Sequence, residues 1–422
     1  MSASTTPRKP KRVNLRRPDV MERVQSEVED HYRSHIVETV RGKGGLTIGN
    51  TRVTLAKEFG FCYGVERAID LAYAACRVFK EQNIYLIGEI IHNPEVNRQL
   101  QEKGIKNIEG ENPDARVEDL GPEDVVIVPA FGTTLEMMDK LKERGCQIID
   151  TTCGDVMSVW KRVRSYAKSG ATSIIHGKSY HEETKATASR AIAAEGVSHY
   201  LVVLDLKETD IVCDYIENGG DREKFLERFV GCYSEGFDPD QHLQHVGVAN
   251  QTTMLQTETE EMQNRLRASI TKRDHGSEEN FQIFETICGA TQERQDALLD
   301  MLRNPMDLLL VVGGYNSSNT SQLVKIGGEN VPSFFIRDAE CLRALGEIAH
   351  FDLSQKSEIT SYSDVLLGEE DVIVGITAGA SCPSNLIEQT ILKVFELRGI
   401  SLEEVEATCD RVNAGDKVTT ES

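Results

Sequence analysis

The sequence predicts an α/β protein of three similar lobes with mostly parallel sheets. Three observations carry that expectation. The 422 residues amount to two or three domains at roughly 150 residues each. Strand-sized apolar runs alternate with helical patterns, and short continuous apolar runs between helices are typical of parallel strands buried on both faces. Finally, one unit recurs. Ile149-Asp150-Thr151-Thr152-Cys153-Gly154 aligns with Phe284-Glu285-Thr286-Ile287-Cys288-Gly289, and Phe59-Gly60-Phe61-Cys62-Tyr63-Gly64 is a looser third copy, each followed by a helical pattern.

Taken in order, residues 1–18 form a basic arm holding Arg8, Lys9, Lys11, Arg12, Arg16 and Arg17, with no acid before Asp19; such a segment is expected to lack fixed structure. From Asp19 to about Val40 the spacing predicts one amphipathic helix with Val20, Val24 and Val28 on a common side, broken by Gly42, Gly44 and Gly45. The strands expected next are Ile84–Ile87, Val125–Val128, Gln147–Ile149, Ser173–Ile175, Leu201–Leu204, Val246–Ala249, Gln282–Phe284, Leu308–Val312, Phe334–Ile336 and Val372–Ile376. Helical spacing after the three cysteines involves Val65, Ala68, Ile69, Ala72 and Cys76; Val156, Val159, Trp160, Val163 and Ala167; and, less cleanly, Leu298, Leu299 and Leu302. The expected division is an extension over 1–50, lobes over 51–152, 153–287 and 288–400, and an acidic tail over 401–422 that frays.

Forty-seven basic against sixty-eight acidic side chains leave a net charge of -21. That balance excludes general nucleic-acid binding, which needs a basic footprint, and it repels anionic membranes. No apolar stretch approaches the roughly 18 residues of a spanning helix. The ten cysteines are neither dense nor regular enough for a secreted disulfide scaffold, so a reducing cytoplasm is expected.

Ligands of open parallel sheets sit beyond the carboxyl ends of the strands. There this sequence places His92-Asn93, residues 129–134, residues 151–154, His176-Gly177-Lys178, Asn250-Gln251-Thr252-Thr253, residues 286–289, residues 313–319 and residues 377–381. Hydroxyls, amides, imidazoles and glycines recurring at one end of the sheets describe an anion-binding cavity. Familiar nucleotide fingerprints are absent: no G-x-G-x-x-G follows a strand, Thr172 stands where a P-loop ending in Gly177-Lys178-Ser179 needs glycine, and there is no C-x-x-C. For Ser317, Ser318 and Asn319 alone, a helix N-cap run is the plainer reading.

Cys62, Cys153 and Cys288 are each expected at or just before a helix N-terminus, where the dipole favours thiolate. Any single cysteine is more often a packed core residue, and Cys76, Cys146, Cys213, Cys232, Cys341, Cys382 and Cys409 take that reading. Three in equivalent places of three lobes converge if the lobes pack pseudo-threefold. Three thiolates suit a central iron–sulfur cluster of the 4Fe–4S type with one iron open to substrate; structural zinc would want a fourth ligand such as His92 or His181. Glu183, two residues after His181, is a natural proton donor or relay, set against a solvated Glu-Glu pair starting a helix.

Taken together, Gly60-Phe61-Cys62-x-Gly64-Val65, Ile91-His92-Asn93, Asp150-x-Thr152-Cys153, His181-Glu182-Glu183, Gln251-Thr252-Thr253, Asn316-Ser317-Ser318-Asn319 and Thr377-Ala378-Gly379-Ala380-Ser381 closely resemble the LytB/IspH family of 4-hydroxy-3-methylbut-2-enyl diphosphate reductases, in its longer plant and cyanobacterial form. The resemblance runs from about Leu55 to Gly399. It implies an iron–sulfur oxidoreductase at the last step of the non-mevalonate isoprenoid pathway, making isopentenyl and dimethylallyl diphosphate with two electrons and two protons. It further implies that Cys62, Cys153 and Cys288 hold one 4Fe–4S cluster with an open iron. Thr252 would orient the substrate hydroxyl and Glu183 would head the proton relay. His92, His181, Ser317, Ser318, Asn319 and Ser381 would bind the diphosphate.

The chain departs from the family pattern at Phe131, where many bacterial members have a diphosphate-binding His, and Lys178, Thr133 or Thr134 are the candidates to replace it. Gly154 stands where proline usually follows the second cluster cysteine. The expected partners are the diphosphate substrate and a ferredoxin or flavodoxin-type electron donor, with neither nucleic acid nor membrane; the donor would meet Arg and Lys near the cluster, helped by the basic arm. The expected location is the cytoplasm, or the plastid stroma in a photosynthetic eukaryote. The competing readings are another three-cysteine trefoil enzyme such as quinolinate synthase, and a non-enzymatic iron–sulfur sensor.

Overall fold

The computed structural model describes residues 14–110, 112–192, 198–284 and 287–414. They form two compact units. The first contains Leu71–Ile90 and Gln99–Cys288, and the second Arg17–Asp70, Ile91–Arg98 and residues 289–414. Most of the basic arm, Glu285, Thr286 and the last eight residues lie outside the described residues.

The first unit carries two four-stranded sheets, both wholly parallel. One runs in the order Lys106–Asn107, Ile84–Leu86, Val125–Val128, Gln147–Asp150. The other runs Phe281–Ile283, Val246–Asn250, Thr172–His176, Tyr200–Val203. The second unit has a five-stranded sheet in the order Leu46–Ile48, Thr51–Leu55, Val372–Ala378, Leu308–Val312, Ser333–Ile336, parallel except for its first pair. A separate antiparallel hairpin joins Glu347–Asp352 to Ser357–Tyr362. This is an α/β protein with mostly parallel sheets, and all ten expected strands form.

The apolar runs explain why. Leu308–Val312 is buried at every position, as a central strand covered on both faces must be. Each such side chain contributes about 1.5–3 kcal/mol of transfer free energy. Thr51–Leu55, which the sequence reading groups with the residues up to 152, pairs instead with Val372–Ile376. Its exposed Arg52 and half-buried Thr54 alternate with buried Thr51, Val53 and Leu55, so it shows no continuous apolar run.

Two local expectations are corrected. The single N-terminal helix is two, Pro18–Tyr32 and His35–Lys43, because Ser34 caps the second by accepting from the Val37 N–H at 3.0 Å. The tail does not fray over its first half. Ser401 caps a helix Leu402–Asn413 that buries Val405, Thr408 and Cys409, and Val405 and Cys409 join the core of the second unit.

Five of the seven cysteines expected to be core residues are buried: Cys146, Cys213, Cys341, Cys382 and Cys409. Burial pushes the thiols of Cys146, Cys213, Cys382 and Cys409 up, which disfavours thiolate. No helix of the described residues is long and apolar enough to cross a membrane.

Candidate active site

Each of the three singled-out cysteines directly precedes a helix. Cys62 comes before Tyr63–Val78, Cys153 is the N-cap of Gly154–Lys168, and Cys288 comes before Gly289–Met301. All three are partly exposed, and Cys153 packs against the core cluster of Val156, Trp160 and Ala186.

In the first unit the strand register assembles the surrounding groups. His176 pairs with Asn250, so the loops leaving these strands start side by side. The Gln251 N–H donates to the His176 carbonyl at 2.8 Å, and the Gln251 side-chain oxygen accepts from the Lys178 N–H and the Thr184 hydroxyl, both at 3.2 Å. A Cβ at Gly177 would lie 2.9 Å from Thr184 Oγ1 and 3.0 Å from Gln251 Cβ, so that close approach needs glycine.

The consequence falls on Glu183, which is buried in the first turn of the helix Glu182–Ala191. Its two carboxylate oxygens accept from Thr252, Oε1 from the N–H at 2.6 Å and Oε2 from the hydroxyl at 3.0 Å. The Cys288 N–H in turn donates to the Thr252 carbonyl at 3.4 Å, and Cys288 Sγ to Asp155 Oδ2 at 2.9 Å. Asp155 is two residues beyond Cys153. The first unit therefore joins Cys153, Asp155, Cys288, Thr252 and Glu183 in one connected set.

His181 is the N-cap of the Glu183 helix, and its Nδ1 accepts from the Glu183 N–H at 3.2 Å. An imidazole whose Nδ1 accepts carries its proton on Nε2, so His181 offers an N–H donor. Phe131 stands edge-on to that ring, with centroids 6.4 Å apart. The Phe131 loop is held from below. Trp160 occupies the space a Cβ at Gly132 would need, and the buried Arg190 guanidinium lies 3.3 Å from the Trp160 ring centroid while donating to the Thr133 carbonyl at 2.7 Å. Burial lowers the Arg190 pKa to about 10, with Arg164 as a further cause.

The second unit groups Cys62 with the other loop residues. The Cys62 N–H donates to the Ala380 carbonyl at 3.2 Å, and the Ala380 N–H donates to Asn319 Oδ1 at 2.9 Å. Arg294, buried, donates to the Gly60 carbonyl at 2.7 Å and to the Phe61 carbonyl at 3.1 Å. The Ser381 hydroxyl donates to the His92 carbonyl at 3.1 Å, and the Asn316 amide meets His92 Nδ1 at 3.3 Å. An amide nitrogen only donates, so His92 also carries its proton on Nε2. A Cβ at Gly314 would lie 2.5 Å from the His92 carbonyl oxygen.

Ser317 caps the helix Ser318–Gly328 as the plainer reading expected, accepting from the Thr320 N–H at 3.3 Å. Capping does not consume its neighbours: Ser318 Oγ and Asn319 Nδ2 are buried, at 2 % and 3 % exposure of their residues, and have no hydrogen-bond partner among the described residues. Unpaired buried donors are costly, and two of them at a helix N-terminus fit an anion.

The residues that reading the sequence missed are the supports. Thr320 fills the space that a Cβ at Gly313 or Gly379 would take, locking the Ser317–Asn319 and Ala380–Ser381 loops together. Tyr315 donates to Glu358 of the hairpin at 2.8 Å and stacks on Phe351. Arg190 and Arg294 carried only one signal, a cation within an otherwise buried helical stripe.

Comparison with known proteins agrees along most of the chain. A family model described as LytB protein matches residues 53–395. The 4-hydroxy-3-methylbut-2-enyl diphosphate reductase of Gloeobacter violaceus is 44% identical, with 89% of this chain and 90% of that protein covered. The enzyme of the same name from Thermosynechococcus vestitus is 42% identical, over 90% and 93% of the two chains. A solved structure of (E)-4-hydroxy-3-methyl-but-2-enyl diphosphate reductase, described as the terminal enzyme of the non-mevalonate pathway, superposes with a TM-score of 0.50 at 25% identity. It covers 82% of this chain and 99% of that one. The E-1-hydroxy-2-methyl-but-2-enyl-4-diphosphate reductase of Plasmodium falciparum shares the fold, with a TM-score of 0.59 at 22% identity over 80% and 86% of the chains.

Proposed function

The chain belongs to the LytB protein family, and from that membership we infer that it reduces 4-hydroxy-3-methylbut-2-enyl diphosphate to isopentenyl and dimethylallyl diphosphate. The reaction breaks the allylic C–O bond, forms a C–H bond and releases water, consuming two electrons and two protons. The single observation that carries the reading at the level of the site is the buried Glu183 carboxylate receiving two hydrogen bonds from Thr252, with Cys288 one hydrogen bond further on.

An iron–sulfur cluster belongs to this family, and we assign its ligands to Cys62, Cys153 and Cys288, leaving one iron of a 4Fe–4S cluster open. The donor set fits: each thiol heads a helix, and the Cys153 and Cys288 loops meet through Asp155. When bound, the cluster supplies electrons and a Lewis-acidic iron. The chain's own groups do the rest. Thr252 positions the substrate hydroxyl beside Glu183, and Glu183 holds the proton that leaves with the oxygen as water. His92 and His181 direct Nε2–H donors at the diphosphate, joined by Ser317, Ser318, Asn319 and Ser381. Many neutral donors hold the anionic head without a large opposing charge, and they keep water from the reacting carbon.

At Phe131 the ring cannot donate a hydrogen bond. Thr134 Oγ1 accepts from the Met137 N–H in capping the helix Leu135–Arg144, which still leaves its hydroxyl proton to donate, so Lys178, Thr133 and Thr134 are the replacements. Lys178→Ala is expected to raise KM for the diphosphate about tenfold, the cost of one charge-assisted contact. Unchanged KM would remove Lys178 from the site.

The electron donor is proposed to be an acidic ferredoxin or flavodoxin, and the compartment a cytoplasm or plastid stroma. The deciding experiment is anaerobic turnover. Protein purified without oxygen should be brown, carry about four irons and four sulfides, and convert the allylic diphosphate with a reduced viologen. A colourless active protein, or turnover of dicarboxylic substrates instead, would overturn the assignment.

A further inference from the structure

The helix Gly154–Lys168, headed by Cys153, is unlike the surface of a chain with a net charge of -21. Lys161, Arg162, Arg164 and Lys168 are all exposed. Among the described residues none of them makes an ion pair, whereas some exposed cations elsewhere do, as in Arg98–Glu95 or Lys140–Glu136. Met157, Lys161, Arg164 and Lys168 follow the i, i+4, i+7, i+11 spacing of one helical stripe, and Met157 is 37% exposed. Like charges three and four residues apart cost a helix about 0.2–0.5 kcal/mol per pair, and among the described residues no ion pair of these side chains offsets that cost. The only acid on the helix is Asp155, in its first turn.

A second feature lies on another side of the same helix, about 100° or more around it from the stripe. Arg162 lies over the Phe284 ring, 4.0 Å from its centroid, and that ring stacks on Tyr166 with centroids 5.9 Å apart. Phe284 is 37% exposed and precedes Cys288 by four residues. Met157 thus lies close in sequence to the proposed cluster ligand Cys153, and Phe284 to Cys288.

We propose that Met157, Lys161, Arg164 and Lys168 form the docking surface for a small acidic electron-carrier protein. The proposal rests on the reductase reading, which requires two electrons per turnover and therefore two encounters with a one-electron carrier. Charge complementarity selects the occupant: a locally basic face on a strongly acidic protein attracts an acidic partner while the rest of the surface repels it, which fixes orientation as well as rate. Met157, at the Cys153 end of the stripe, provides an apolar contact.

The test uses the cluster-loaded full chain and two reductants, a two-iron ferredoxin of net negative charge and reduced methyl viologen. Lys161→Glu with Arg164→Glu should raise KM for ferredoxin about tenfold or more and flatten the fall of the ferredoxin-driven rate with salt. Viologen-driven turnover should stay within about twofold of the unsubstituted enzyme. Lys161→Gln with Arg164→Gln, which adds no negative charge, should give a smaller change of the same sign. Unchanged KM and salt dependence with ferredoxin would overturn the proposal, as would an equal loss with both reductants. Failure of the unsubstituted enzyme to turn over with viologen counts against the reductase reading itself, which keeps the two failures apart.

Discussion

Glu183→Gln should lower kcat by about a hundredfold to ten-thousandfold, the range for removing a positioned proton donor, with little change in KM for the diphosphate. The substitution is informative because it spares the geometry. The glutamine oxygen still accepts from the Thr252 N–H, where Oε1 now lies at 2.6 Å. The Thr252 hydroxyl, which now donates to Oε2 at 3.0 Å, can turn and accept from the amide. What disappears is the titrating group. Steady-state kinetics with reduced viologen checks this, and iron content should match the unsubstituted enzyme. A kcat within threefold of the unsubstituted value would place the proton source elsewhere and favour a trefoil enzyme indifferent to this carboxylate.

Cys288→Ser should produce the largest loss of all. A serine hydroxyl is a far poorer ligand to iron than a thiolate, so iron per chain should fall severalfold and turnover should fall with it; Cys62→Ser and Cys153→Ser should behave alike. Cys146→Ala and Cys409→Ala are the controls. Both thiols are buried and burial raises their pKa, so their loss should cost about 1–2 kcal/mol of stability while iron content stays intact. Iron assay and thermal unfolding on the same preparations separate the two classes. Full iron in Cys288→Ser would remove it from the ligand set.

The strands were legible because parallel strands buried on both faces must be apolar at consecutive positions; Val125–Val128 and Leu308–Val312 are examples. Thr51–Leu55 was not, because it alternates, and an alternating strand does not announce which sheet it joins. The break at Ser34 and the tail helix after Ser401 were missed because a single capping hydroxyl decided each of them. At the candidate site, the side chains with chemistry of their own stood out by type. Supports such as Arg190, Arg294 and Thr320 did not, since their roles are contacts with backbone carbonyls and with glycines distant in the chain.

By itself the sequence determined the α/β class and the positions of ten strands, and it placed each of three cysteines just ahead of a helix. Those are local properties of apolar runs, periodicity and caps. Tertiary structure alone decided that Thr252 delivers both of its donors to Glu183, that Asp155 ties the Cys153 helix to Cys288, and that Nδ1 of His92 and of His181 accepts, leaving each Nε2–H to donate. Such contacts join residues tens to hundreds of positions apart, or fix a tautomer through a hydrogen bond. They exist only once the strand register has brought the loops side by side.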